Sequence, residues 1–177
     1  MTLEEKVGQM IQPNLRDITP KELRQYKLGS ILNGGGSWPN EEKHSNTIDW
    51  AEKADEFWLA TEHVFSERPF RIPFIWATDA VHGHNNAFGA TVFPHNIGLG
   101  CARDPELIHR IGRITALEIA ATGLDWTFAP TVATPRDLRW GRVYEGYSED
   151  PEVTYAYAGE MVKGLQGDAE TLQGEYH

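Results

Sequence analysis

Short apolar runs alternate with capped helices along this chain, and this alternation restricts its fold more than any other feature. Four runs have the length and the branched or aromatic residues of buried strands: residues 28–32, 73–78, 97–101 and 126–130. Helices are predicted from residues 2, 19, 47, 104 and 150 onward, where cap residues or amphipathic spacing occur. Strands that alternate with helices favour an α/β fold with a parallel sheet.

The composition fits one globular domain and narrows the class of partner. The chain has 177 residues, 40% of them hydrophobic, which is enough to bury a core. Its formal net charge of −10 argues against nucleic acid and anionic membranes, because both require a basic face. Neutral glycans remain compatible with this charge.

Features that would report on the cellular compartment are scarce. The single cysteine, Cys101, excludes an internal disulfide, and its apolar strand-like context predicts a buried, unreactive thiol. No run approaches the ~20 apolar residues of a membrane span. The first residues lack the basic and apolar regions of a signal peptide, so the sequence leaves localisation open.

Residues 135–151 contain three arginines, four carboxylates and three aromatic residues without apolar periodicity, which predicts a binding loop. An irregular run of about 20 residues is uncommon in a compact domain and usually carries function. Guanidinium groups beside Trp140, Tyr144 and Tyr147 suit a neutral polyhydroxylated ligand, since arginine donates paired hydrogen bonds and aromatic faces cover ring C–H surface. A purely structural network of ion pairs is the alternative.

A second candidate position follows the strand predicted for residues 73–78. Asp79 lies immediately beyond that strand. Ligands of α/β proteins bind at the carboxyl ends of parallel strands, in open sheets and in closed barrels alike. Asp79 is therefore predicted to contact a ligand.

Four segments together resemble the N-terminal domain of glycoside hydrolase family 3, in its β-glucosidase and exo-β-glucanase branch. They are Asp79-Ala-Val-His-Gly83, Thr91-Val-Phe-Pro-His95, Ile97-Gly-Leu-Gly100 and the segment from Arg136 to Pro151. The resemblance covers nearly the whole chain. It implies that Asp79 and Arg142 hold hydroxyls of the terminal non-reducing sugar. It also implies an enzyme that removes β-D-glucosyl residues from β-glucosides or β-glucans with retention and without a cofactor. The N-acetylglucosaminidase branch is disfavoured, because it differs at the Asp79 motif.

The resemblance also implies an incomplete barrel. Residues 1–177 would form the N-terminal half of a (β/α)8 TIM barrel, about its first four strands, with the remaining half and a second domain absent. Retaining hydrolysis needs two carboxyl groups about 5–5.5 Å apart, and the resemblance places both beyond His177. No catalytic residue is therefore expected here, and residues 1–177 alone are expected to be inactive. An isolated half barrel would expose a strand edge and apolar surface, so self-association is expected.

Roles can also be predicted within residues 135–151, which we term the arginine-rich segment. Glu145 is expected to hold Arg142 in place as a hydrogen-bond acceptor. Arg136 and Asp137 are expected to pair as scaffold. Residues 149 and 150 are expected to act as carboxylates at a helix start.

Two other functions remain open at this point. The arginine-rich segment could serve a non-catalytic carbohydrate-binding module. A metal-dependent hydrolase is the third possibility, because His82-Gly-His84 with Asp79 and His95 offers potential ligands. Gly83 favours a turn over a strand, so the preferred interpretation is that His82 orients its loop through hydrogen bonds.

Overall fold

A computed structural model describes residues 1–62, 64–66, 68–70 and 72–167, and it confirms the α/β fold. In these ranges the helices are α1 (Leu3–Gln9), α2 (Pro20–Tyr26), α3 (Thr47–Glu62), α4 (Asn96–Ala102), α5 (Pro105–Ala121) and α6 (Pro151–Gln166). Strands β1 (Ser30–Asn33), β2 (Ile75–Thr78) and β3 (Trp126–Thr127) form a parallel sheet in the order β1-β2-β3. None of the helices within the described ranges is long and apolar enough to cross a membrane.

The prediction of four strands is corrected to three among the described residues. Residues 97–101, predicted as the third strand, belong to helix α4. A five-residue apolar run does not distinguish a strand from a turn of buried helix. The predicted fourth strand is β3, which ends at Thr127 rather than continuing to Pro130, a residue that has no N–H to donate.

The helical geometry of residues 97–101 also corrects the prediction for the cysteine. Cys101 is exposed, and its thiol donates a hydrogen bond to the carbonyl of Ile97 one turn earlier. Leu99 and Gly100 are the buried residues of this part of α4. A strand would have alternated its faces with period two, whereas the helical period places Cys101 on the solvent side.

The predicted helix starts are confirmed at their cap residues. Thr2 and Thr19 each form a reciprocal capping box with a glutamate three residues later. Asp104 accepts a hydrogen bond from the backbone N–H of Leu107, and Asp150 accepts one from that of Glu152. These caps depend only on neighbouring residues, because each satisfies a free N–H of the first helical turn.

The chain packs as two compact units. The first comprises Met1–Asp79, Asn86–Gly89 and Ile119–Thr127, and it contains the whole sheet. The second comprises Ala80–Asn85, Ala90–Glu118 and the described residues from Phe128 to Gly167.

Aromatic side chains of α3 cover one face of the sheet in the first unit. The Trp76 ring on β2 lies 5.9 Å from that of Trp50 and 5.8 Å from that of Phe57, measured between centroids. Phe57 also stacks on Phe74 at 6.1 Å. Trp50, Phe57 and Trp76 are almost completely buried, so this contact contributes much of the apolar burial that holds α3 to the sheet.

Helices α4, α5 and α6 form the core of the second unit. Its buried side chains are Leu99, Ile108, Ile111, Tyr147, Val153, Tyr157 and Met161. The Tyr157 hydroxyl accepts a hydrogen bond from the backbone N–H of Asp104 and donates one to the carbonyl of Leu99. One buried hydroxyl therefore connects α6 to the junction between α4 and α5.

Candidate functional site

Asp79 directly follows β2 and is half-buried, so the prediction that it lies at the carboxyl end of a strand is confirmed. The preceding residue, Thr78, is completely buried. Its hydroxyl accepts hydrogen bonds from Asn33 Nδ2 at 3.1 Å and from Asn86 Nδ2 at 3.4 Å. The Trp76 indole N–H donates to Asn33 Oδ1 at 3.1 Å.

These buried amides hold together the ends of β1 and β2. Asn33 uses both ends of its side chain, as donor to Thr78 and as acceptor from Trp76. A buried polar network in which donors and acceptors are matched is rigid, because breaking one bond leaves a desolvated polar group. Asp79 therefore follows a fixed strand end. No local sequence pattern indicates a supporting role for Asn33 or Asn86, whose partners lie 45 and 8 residues away.

In the second unit, Ala80–Asn85 and residues 90–95 form what we term the histidine loop. The backbone N–H of Phe93 donates to the carbonyl of His82 at 2.9 Å, and His82 Nδ1 contacts the carbonyl of Phe93 at 2.9 Å. A carbonyl only accepts, so Nδ1 of His82 carries a proton and donates this hydrogen bond. The predicted loop-orienting role of His82 is confirmed.

Gly83 is required where this loop turns. Its φ is +98°, and a Cβ atom at this position would lie 2.1 Å from the carbonyl oxygen of Thr91. Residues with a side chain rarely adopt such a φ, and the neighbouring backbone leaves no space for one. The turn separates the two histidines: His82 is half-buried, whereas His84 is completely buried.

Burial of His84 makes the stability of the folded chain depend on pH. Loss of solvent lowers the pKa of its imidazole to about 4, against the opposing effect of Glu118. Below pH 6.5 the unfolded chain binds a proton here that the folded chain does not, so the free energy of unfolding falls as the pH falls towards about 4. The shift corresponds to about 3 kcal/mol.

We therefore expect a steeper loss of stability between pH 6.5 and about 4 in the wild type than in His84→Gln. Urea denaturation followed by tryptophan fluorescence at several pH values measures this difference. His44→Gln, which changes an exposed histidine, is the control and should retain the wild-type pH dependence. Parallel curves for the wild type and His84→Gln would contradict this role of His84.

Three rings lie in contact between the histidine loop and the arginine-rich segment, all within the second unit. The centroids of His82 and His95 are 4.0 Å apart, and the Tyr144 ring meets His95 edge-on at 4.7 Å. Partial desolvation, followed by the proximity of His82, lowers the pKa of His95, while Glu145 opposes the shift. The net effect favours the neutral form of the His95 imidazole.

Arg142 and Glu145 form a two-pronged ion pair. Arg142 Nε donates to Glu145 Oε1 at 2.7 Å and Nη2 donates to Oε2 at 2.6 Å, which confirms the predicted partner of Arg142. The Glu145 side chain is 10% exposed and that of Arg142 is 62% exposed. The hydrogen bonds from Arg142 hold the pKa of Glu145 below its usual value, against the effect of burial. A nearly buried carboxylate thus anchors an exposed guanidinium.

The predicted pair of Arg136 with Asp137 is wrong. Asp137 instead accepts hydrogen bonds from the backbone and the guanidinium of Arg139, two residues later. Arg136 donates to the backbone carbonyl of Glu149. The Arg139 side chain is 90% exposed, so its ion pair contributes little to stability.

Within the described ranges, no three histidine, cysteine, aspartate or glutamate side chains come together as potential metal ligands. His82 and His95 stack as rings, and His84 is buried away from solvent on the other side of Gly83. The arrangement that the structure does show, an exposed guanidinium anchored by a carboxylate, suits hydroxyl recognition.

Comparison with known proteins decides the family. The sequence model of the glycosyl hydrolase family 3 N-terminal domain matches residues 2–174. The chain belongs to this family. Membership of family 3 agrees with the observed parallel sheet, which fits the first part of a TIM-like barrel.

Solved structures and a curated relative support the same family 3 assignment. An exo-1,3/1,4-β-glucanase from a Pseudoalteromonas species is 55% identical with a TM-score of 0.89, over 95% of this chain and 21% of that one. A β-glucosidase from Listeria innocua in complex with isofagomine is 31% identical with a TM-score of 0.70, over 99% of this chain and 22% of that one. The lysosomal beta glucosidase of Dictyostelium discoideum is 32% identical over 98% of this chain. The chain spans about a fifth of the length of the curated relatives it matches.

Proposed function

We propose that the protein containing this chain is a retaining exo-acting β-glucosidase or β-glucanase that removes terminal non-reducing β-D-glucosyl residues. Support comes from the relatives that match most of the chain: an exo-1,3/1,4-β-glucanase at 55% identity and beta-glucosidases at 31–32%. A β-N-acetylglucosaminidase of the same family is 22% identical and shares the fold. These relatives do not favour a metal-dependent hydrolase or a non-catalytic sugar-binding module.

Within that enzyme, Asp79 and Arg142 each hold hydroxyls of the terminal sugar, and the substrate is a β-glucoside or a β-glucan oligosaccharide. The observation that carries this proposal is the anchored guanidinium. Arg142 is exposed to a ligand, while Glu145 fixes its orientation with two charge-assisted hydrogen bonds. Fixing the donor beforehand lowers the entropy lost when a hydroxyl binds.

The catalytic carboxylates belong to other parts of the enzyme. The resemblance on which we base this proposal assigns no nucleophile or acid/base to residues 1–177, which form the N-terminal part of the barrel domain. Glu145 is unsuited to act as an acid, because its hydrogen bonds with Arg142 favour the charged form. Residues 1–177 on their own should therefore show no turnover of a chromogenic β-glucoside.

An exoglucanase chimera tests the binding role in an active context. We define it as the Pseudoalteromonas exo-1,3/1,4-β-glucanase in which this chain replaces the matching segment, a replacement favoured by the 55% identity and the TM-score of 0.89. In this chimera, Arg142→Lys is expected to lower kcat/KM for an aryl β-glucoside by about 100-fold, because lysine keeps the charge but loses the planar fork.

Arg139→Lys is the matched control. It alters an arginine of the same loop that also pairs with a carboxylate, but whose side chain is 90% exposed. We expect kcat/KM to stay close to that of the unsubstituted chimera, since exposed ion pairs contribute little. Equal losses in the two variants would show that Arg142 has no special part in sugar binding.

A further inference from the structure

The start of α4 contacts the turn Val143–Glu145, which directly follows Arg142. Asn96, the first residue of the helix, is completely buried, and its Nδ2 donates a 2.7 Å hydrogen bond to the backbone carbonyl of Glu145. One residue earlier, the His95 ring meets the Tyr144 ring. Asn96 and the residue that caps α4, His95, thus contact two consecutive residues of the turn.

Glu145 links a buried amide to an exposed guanidinium. Its backbone carbonyl accepts from Asn96, and its carboxylate accepts twice from Arg142. A glutamate side chain has several rotatable bonds, so its carboxylate is well placed only if its backbone is held. Removing the amide donor would leave a buried carbonyl without its partner, which favours movement of the turn.

The Asn96 side chain acts here through its donor. Its Oδ1 has no hydrogen-bond partner among the described residues, whereas Nδ2 makes the bond to Glu145. An asparagine that only capped the helix would use its oxygen as an acceptor from the next N–H groups. α4 instead has His95 at its cap position, without a side-chain hydrogen bond.

We propose that Asn96 is a positioning residue for Arg142 and that it acts through Glu145. The proposal rests on the proposed sugar binding by Arg142 for its functional meaning, but the positioning itself is a property of the chain alone. In physical terms, the buried amide fixes the turn Val143–Glu145, the turn fixes the carboxylate, and the carboxylate orients the guanidinium.

NMR of the 177-residue chain measures the positioning directly, without any sugar. In the wild type, the Arg142 Nε–H signal should be protected from exchange, because Nε donates to Glu145. Asn96→Ala should speed this exchange at least about tenfold, the change expected for loss of a hydrogen bond worth roughly 1.4 kcal/mol. If Asn96→Ala does not fold, Asn96→Leu replaces it, since it keeps a similar size and loses the donor.

Two controls separate positioning from a general loss of stability. Ile108→Val removes a buried methylene from the core of the same unit and should leave the Arg142 signal unchanged. In a Glu145→Ala background, Asn96→Ala should have no further effect on Arg142, because the connecting residue is already gone. Slow exchange of the Asn96 side-chain amide protons in the wild type is also required.

Kinetics of the exoglucanase chimera then separate the two proposals. Asn96→Ala is expected to lower kcat/KM about tenfold, and to have little effect once Arg142→Lys is present. A changed Arg142 signal with unchanged kcat/KM would support positioning and overturn sugar binding by Arg142. An unchanged Arg142 signal in both Asn96 variants, or a fully additive effect with Glu145→Ala, would overturn the positioning role whatever the kinetics.

Discussion

Replacing Asp79 by alanine in the exoglucanase chimera is expected to lower kcat/KM for an aryl β-glucoside by about 1,000-fold, or ~4 kcal/mol. A carboxylate that accepts hydrogen bonds from sugar hydroxyls makes charge-assisted bonds, which are roughly twice as strong as neutral ones. Such bonds can strengthen as the sugar ring flattens towards an oxocarbenium-like transition state. We therefore expect a fall in kcat as well as a rise in KM.

The rigid surroundings of Asp79 make this change informative. Asp79 follows Thr78, which is hydrogen-bonded to Asn33 and Asn86, so truncation of the carboxylate leaves the strand end in place. Steady-state kinetics, with circular dichroism as a check on folding, measure the effect. A folded Asp79→Ala chimera with nearly full kcat/KM would remove Asp79 from the binding site.

Asp125→Asn provides a matched control in the same sheet. Asp125 directly precedes β3, at the amino end of the parallel sheet and opposite to the end that Asp79 follows. Its carboxylate accepts a long hydrogen bond from the backbone N–H of Trp76, a bond that an asparagine oxygen can also accept. We expect kcat/KM to change little in this variant.

Gly100→Ala is expected to reduce the free energy of unfolding by about 3 kcal/mol or more. A Cβ atom at position 100 would lie 1.7 Å from the carbonyl oxygen of Tyr147 and 2.6 Å from its carbonyl carbon. Both are backbone atoms, so no side-chain rotation can relieve the overlap. α4 would have to move away from Tyr147, whose ring is part of the core of the second unit.

Gly98→Ala, on the same helix, is the control for the change of residue type. Its Cβ would meet the Cβ of Pro94 at 3.5 Å, an ordinary contact. Alanine is favoured over glycine inside a helix by about 0.5–1 kcal/mol, so this variant should be as stable as the wild type or more so. Urea denaturation of both variants is the measurement. Similar losses at the two positions would refute the packing argument.

Local signals in the sequence were sufficient for several features of the site. The ion pair between Arg142 and Glu145 spans three residues, so the two side chains can meet whatever the rest of the chain does. The same holds for the caps at Asp104 and Asp150. Asp79 could be placed because a buried apolar run ends just before it.

Features that depend on distant partners were not predictable in this way. Asn96 contacts the turn next to Arg142 through a hydrogen bond to the carbonyl of Glu145, 49 positions later. The apolar run at residues 97–101 is helical, and its Gly100 packs against the backbone of Tyr147, a contact 47 residues away that no local pattern reports. The predicted partner of Asp137 was wrong for a different reason: two arginines, Arg136 and Arg139, lie within two residues of it, and the hydrogen bonds are made by Arg139.

By itself, the sequence determined the α/β class, the helix starts, the family and the candidate residues Asp79 and Arg142, because these depend on short-range patterns and on motifs read along the chain. Only the tertiary structure decided which amides support those residues and how the rings of His82, His95 and Tyr144 meet. The physical reason is that burial and hydrogen-bond partners are set by residues that packing brings together from distant positions, and short-range patterns do not contain that information.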